Sequence, residues 1–407
     1  MPTHASLEVR RTLVALNAMR FPAILLVFIS HAIAATTGGD VTEAIGLRGV
    51  FYEAMGAVVF FLMLSGFIIT YVYRDRIHDA TLKAATRFAA ARFTRFWPVH
   101  GLILGITALF AFGPSGIGSG DTVGFIEHML LLQAWDPSRT LAFNSPAWTL
   151  SVELFAALLL VYVIAAIKRF SIADSTGRLT VIMLGLWAFS ISSVLAMELL
   201  FTTKTAQMVA FTSPLNHAPV PLIGACLAFV VFGISGASSR ISRFTYHTWT
   251  TLELVAIFGV IGSVMLRNIV PEELTILRYG PLHVPAAALF IWVFAHDGGA
   301  ISRMCRTPAL GWLGHISFAF YLCHVLVLKL LAAFGLAQIL HPLLFGGISL
   351  LVSIGFAHVL RCEVEIPAQR ALRRRYERQR TSAVPDLGCD EPAASRENLS
   401  PPDDKAA

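Results

Sequence analysis

Charge is scarce in this chain. Only 14% of its 407 residues are Asp, Glu, Lys or Arg, against about 25% in ordinary soluble domains, which excludes a water-soluble globule. Cysteine is also sparse. Cys226, Cys305, Cys323, Cys362 and Cys389 are scattered and odd in number, so no disulfide framework and no metal-ligand spacing is expected. No cleavable leader is expected, because the first apolar run is too long and lacks a small-residue site before polar sequence. Gly/Pro-broken spans in corresponding halves, the sequence pointer to a secondary transporter, are missing. The formal charge is +6 and the pI near 9.2, but the basic residues are distributed over inter-span segments, which argues against a nucleic-acid partner.

What the chain has is apolar length. Hydrophobic residues make up 56% and the mean hydropathy is +0.69. Runs of roughly 17–25 residues, enough to cross about 30 Å of hydrocarbon as a helix, recur ten times. They lie at 17–37, 50–73, 97–113, 147–167, 179–201, 219–237, 250–267, 282–297, 309–333 and 341–361. The expected fold is an all-α polytopic membrane protein with about ten transmembrane helices. The stretch 121–135 is too short to span and reads as re-entrant or interfacial. With the N-terminus inside, 25 of the 31 Lys and Arg residues fall on inner segments. The outer six are Arg48, Arg139, Lys204, Arg267, Arg278 and Lys329. Both termini are therefore expected to be cytoplasmic. Residues 1–16 read as a cytoplasmic segment, 17–370 as the membrane domain, and 371–407 as a basic then disordered tail.

Polar side chains inside the spans are functional candidates, because an ionisable group at membrane depth is costly. His31 sits in the run 21–35, eleven residues after Arg20. An imidazole there suits a general base. Depth arithmetic places His31 and Glu153 at one level, roughly 9 Å below the outer surface. They would form either a catalytic His–carboxylate pair or a buried structural one. Asn144, Trp148, Thr149 and Ser151 cluster at the mouth of the fourth span. They fit a hydroxylated ligand, or an aromatic belt with a helix cap, both common at membrane interfaces. In the expected loop R-F-T-R-F-W-P, Arg92 and Arg95 stand one turn apart, suited to phosphate oxygens or to lipid headgroups. Ser65 and Gly66 form a small-residue notch that could pass a ligand or pack a helix. Ser317, Tyr321 and His324 share a helix face, lining either a cavity or an interhelical seam.

Taken in order, these stretches resemble the acyltransferase-3 family of bacterial membrane O-acyltransferases, over roughly residues 12–370. The likeness is carried by Arg-x10-His (Arg20, His31), F-F-x-x-L-S-G-F (Phe60 to Phe67) and R-x-x-R-x-x-P (Arg92, Arg95, Pro98). It continues through N-x-x-x-W-[ST]-L-S-x-E (Asn144 to Glu153), G-x-I-S-[FY]-x-x-Y-L-x-H (Gly314 to His324) and E-x-P (Glu365, Pro367). Each stretch alone is weak; six in order are specific.

The resemblance implies an inner-membrane enzyme that passes an acyl group, usually acetyl, from cytoplasmic acyl-CoA to a hydroxyl of a carbohydrate or glycosylated acceptor. His31 would be the base and Glu153 its supporting acid. Arg20, Arg92 and Arg95 would bind the CoA phosphates, with the donor arm passing Ser65 and Gly66. Asn144, Trp148, Ser151, Tyr321 and His324 would bind the acceptor. No bound cofactor and no metal is expected; the partners are acyl-CoA, the acceptor and the bilayer. Val59, Leu154 and Asn216 depart from the family's usual residues, leaving Glu153 as the main candidate acid. No fused esterase-like domain is expected after Arg361. The alternative is a proton-coupled transporter with His31, Glu153 and His324 as the relay.

Overall fold

A computed structural model of the chain describes residues 13–36, 54–77, 80–112, 121–233, 244–266, 272–372 and 374. Most of the expected tail and of the N-terminal segment, Cys389 and the loop arginines Arg48, Arg240, Arg243 and Arg267 lie outside them. The described residues are helical with no strand. That is the form in which a backbone satisfies its own hydrogen bonds within hydrocarbon.

The helices are α1 (Val14–Thr36), α2 (Met55–Tyr73), α3 (Leu82–Ala111), the short α4 (Thr122–Met129), α5 (Ser145–Arg169), α6 (Thr176–Leu200) and α7 (Thr203–Thr212). They continue as α8 (Pro214–Phe232), α9 (Tyr246–Leu266), α10 (Pro281–Ala295), α11 (Ala300–Met304), α12 (Pro308–Ala333) and α13 (Pro342–Leu372). Among the described residues nine are long and apolar enough to cross a membrane. The remaining expected span, 282–297, eighth in order, is the shorter α10. At about 22 Å it falls short of the roughly 30 Å hydrocarbon layer. Its bounds are set locally: Gly280 before it has φ 152° and Asp297 after it has φ 51°.

The expected loop R-F-T-R-F-W-P is helix. α3 starts at Leu82, where the Thr81 hydroxyl accepts from the Ala84 amide at 3.2 Å, and Pro98 lies inside it. Its first turns are charged, so hydropathy registers only the apolar second half. The stretch 121–135 is the short α4 followed by a single turn at Gln133–Trp135, in keeping with a non-spanning reading. Arg139 clamps this segment by ion pairs to Asp121 and Asp136. The Ser138 hydroxyl, more than Arg139, holds Asp136 below the usual carboxylate range.

α2 and α8 occupy the centre, with 72% and 78% of their apolar windows buried, whereas α6 has 17% and faces outward. Small residues allow the two central helices to touch through their backbones. A Cβ on Gly66 would fall 1.9 Å from the Pro221 carbonyl oxygen, and one on Gly224 2.0 Å from that of Met63. Gly66 is therefore a packing residue, not a notch for a donor arm.

α1 and α12 lie side by side and run in the same direction. Asn17 bonds Gly311, Phe21 and Phe28 meet Phe320, and His31 meets His324. Their approach is equally close at Gly314, where a Cβ would fall 2.1 Å from the Asn17 carbonyl. On the far side, the fully buried Glu253 of α9 accepts from the backbone amides of Gly299, Ile301 and Ser302 at 2.8–3.1 Å, anchoring α11.

Gly66→Ala is expected to lower stability by about 1–3 kcal/mol, as overpacking does. Gly105→Ala, on α3 where a Cβ meets nothing within 4 Å, should leave the unfolding midpoint in detergent unchanged or raised.

Candidate active site

Five helices place their polar side chains in one interior region. α1 brings Arg20, α2 brings Ser65, α3 brings Arg92 and Arg95, α5 brings Thr149 and Glu153, and α12 brings Ser317 and Tyr321. These residues line a cavity of ≈ 120 Å³. The spacing of three residues between Arg92 and Arg95 puts both guanidinium groups on one helix face, and both reach this cavity.

Glu153 is the carboxylate in that lining. Its Oε2 accepts from Arg92 Nη2 at 3.3 Å and from Ser65 Oγ at 3.2 Å. Arg92 is only 8% exposed, and its guanidinium also lies over the Phe96 ring at 4.7 Å. Arg95, Glu153, Glu365 and Arg361 are the charges that act on Arg20. Three guanidinium groups thus line a small cavity with one carboxylate. Glu365 adds a second negative charge from a π-helical turn, Leu360–Glu365, in α13.

His31 belongs to a neighbouring chamber of ≈ 390 Å³, whose lining includes Ser30, Trp148, Phe211, Arg278 and Tyr279. Val58 and Tyr321 line both spaces and form the wall between them. The Tyr321 hydroxyl donates to the Pro146 carbonyl at 3.0 Å and accepts from Thr149 Oγ1 at 3.2 Å. That pair fixes the ring in the wall.

The expected pairing of His31 with Glu153 is not formed. The two residues lie in different chambers, Glu153 with Arg20 and His31 eleven residues further along α1, so depth counted from sequence did not bring them together. Glu153 faces Arg92, the stronger partner for a carboxylate, while the ring beside His31 is that of His324, with centroids 5.2 Å apart at 63°. His324 is fully buried and its Nδ1 donates to the Tyr321 carbonyl at 2.8 Å. That bond fixes the tautomer and leaves Nε2 as the acceptor nitrogen. Nε2 is buried and has no hydrogen-bond partner among the described residues.

The other expected site residues divide. Trp148 lines the His31 chamber, its ring 5.3 Å from Phe211 and 5.1 Å from His217. Asn144 and Ser151 line neither cavity. Asn144 Nδ2 donates to the Leu322 carbonyl at 2.9 Å, and Ser151 Oγ accepts from the Ala134 amide at 3.5 Å. Both are spent on backbone, holding the start of α5 against α12 and the turn after α4. Gly66 is used in the α2–α8 crossing described above. Phe211, Arg278 and Tyr279 were not singled out by sequence. The one available signal was that Arg278 is among the few basic residues expected outside.

A double-mutant cycle separates the two pairings. Arg92 with Glu153 is expected to show a coupling of about 1–3 kcal/mol in detergent unfolding. His31 with Glu153 should show none within error.

The chain matches the profile of the Acyl_transf_3 family, described as an acyltransferase domain, over residues 13–361. It is also 27% identical over 403 residues to "Acyltransferase MdmB" of Streptomyces mycarofaciens, covering 92% of this chain and 96% of that one. No solved structure matches it. The match extends from the first described helix to the last and takes in every residue of both chambers. The chain therefore belongs to the acyltransferase 3 family and is a multi-pass membrane O-acyltransferase.

Proposed function

We propose that the enzyme takes an acyl group, acetyl by preference, from cytoplasmic acyl-CoA and transfers it to a hydroxyl of a carbohydrate or glycosylated acceptor. One observation supports this above others: an anion-seeking cavity and a histidine-bearing chamber share a wall. The buried Arg92 and partly buried Arg20, with Arg95 at the exposed edge, outnumber the carboxylates Glu153 and Glu365 and call for an anionic ligand. The phosphates of CoA, bound in bidentate fashion, meet that need. Arg95 is exposed and would receive them first, with Arg20 and Arg92 deeper. Glu153 then serves to hold Arg92 in place, not to support His31.

From Arg20 to His31 the path along α1 is about 16 Å, a span suited to an extended pantetheine arm. It runs past Ser65 and the Tyr321 wall. At its end the His31 imidazole removes the proton from the acceptor hydroxyl. The acceptor oxygen forms its bond to the thioester carbonyl carbon, the carbon–sulfur bond breaks, and CoA leaves as the thiolate. The imidazolium then gives its proton to that thiolate or to water. His324, its Nδ1 committed to backbone, presents a lone pair beside His31 and stabilises the charged ring. The reading places the termini in the cytoplasm of a cell whose inner membrane holds the enzyme. The common direction of α1 and α12 supports only that both termini share one side: with the short α10 counted as a crossing, α12 is the ninth span and runs as the first does.

S-acetylpantetheine, a donor without the CoA phosphates, tests the assignment. Arg95→Gln is expected to raise KM for acetyl-CoA about tenfold, as loss of a charged hydrogen bond does, and to leave KM for acetylpantetheine unchanged. An equal rise for both donors would refute phosphate binding at Arg95.

A further inference from the structure

The chamber around His31 carries a charge that the reaction does not explain. Arg278, between α9 and α10, stands in its lining. Its guanidinium lies 4.8 Å from the centre of the Tyr279 ring, and Nη2 donates to the Tyr279 hydroxyl at 2.8 Å. Among the residues whose side chains are described it meets no carboxylate. Tyr279 packs edge-on to Phe211 at 5.7 Å, and Phe211 in turn packs on Trp148 at 5.3 Å. One wall of the chamber is thus three aromatic rings ending in a half-buried cation, and His31 lies in the same lining.

The face of an aromatic ring in such a wall takes the apolar face of a sugar ring, and a guanidinium in a cavity of ≈ 390 Å³ takes an oxyanion. That volume lies in the usual range of small-molecule sites, roughly 300–1,000 Å³. Resting on the reading above, we infer that this chamber selects acceptors bearing an anionic group, a carboxylate or phosphate on the sugar whose hydroxyl His31 activates. Arg278 binds that group, with the Tyr279 hydroxyl orienting the guanidinium, and so sets specificity without touching the reacting atoms. An acidic sugar and a phosphorylated one offer the same chemistry here.

The test is CoA release from acetyl-CoA with three acceptors: methyl glucoside, methyl glucuronoside and glucose 1-phosphate. The wild type is expected to favour one or both anionic acceptors over the neutral one by about tenfold in kcat/KM, the scale of one charged hydrogen bond. Which anion leads distinguishes carboxylate from phosphate. Arg278→Gln should bring the ratio close to one, and Arg278→Lys should retain part of it. A wild-type preference for methyl glucoside, no acceptor raising release above that in water, or a ratio unchanged in Arg278→Gln would each overturn the inference. The wild-type panel alone decides the matter should a variant fail to fold. Absence of CoA release under every condition, with no acyl-CoA binding, would instead reject the acyl-CoA reading itself.

Discussion

A guanidinium inside a membrane protein must find negative charge or hydrogen-bond acceptors, because the surrounding hydrocarbon supplies neither. Here Arg92 finds Glu153, and Ser65 occupies the same carboxylate oxygen. That three-way contact joins α2, α3 and α5. Arg20 of α1 and Tyr321 of α12 complete the ring around it. The pair is not by itself a source of much stability, since desolvation offsets most of the Coulomb attraction. Its value lies in what it fixes: two further guanidinium groups are held beside Arg92 with too little negative charge to match them.

The second chamber depends on the first through a shared wall. Tyr321 is tied to Pro146 and Thr149 at the start of α5, so the helix that carries Glu153 also sets the partition. α1 contributes to both spaces, with Arg20 at one end and His31 toward the other. The backbone-to-backbone approach of α1 and α12 at Gly314 brings His324 up to His31. On the reading proposed above, a donor held by the arginines on one side would meet an acceptor hydroxyl on the other, the layout an acyl transfer across a membrane requires.

Much of this was legible in the sequence. Apolar run length identified the nine long helices, because hydrophobic thickness and helical rise leave little freedom. The turn-related spacing of Arg92 and Arg95 put them on one face. What could not be read was direction around each axis. Depth arithmetic set Glu153 level with His31, yet Glu153 lies in the Arg20 cavity and turns toward α3, whose charged first half hides it from a hydropathy scan. Asn144 and Ser151 looked like ligand contacts because polar groups near a helix start serve ligands and backbone alike; here the backbone takes them. Gly66 carries no mark that separates a ligand notch from a helix crossing. Arg278 and Tyr279 sit in a segment without periodicity, and only the folded chain brings them to Trp148.

The account stands on thioester chemistry at His31, and hydrolysis of acetyl-CoA in detergent without acceptor measures it most directly. Slow CoA release by the wild type, reduced about 10²–10⁴-fold in His31→Ala as loss of a general base requires, is the predicted result. Equal release by both proteins, with the variant folded, would contradict it.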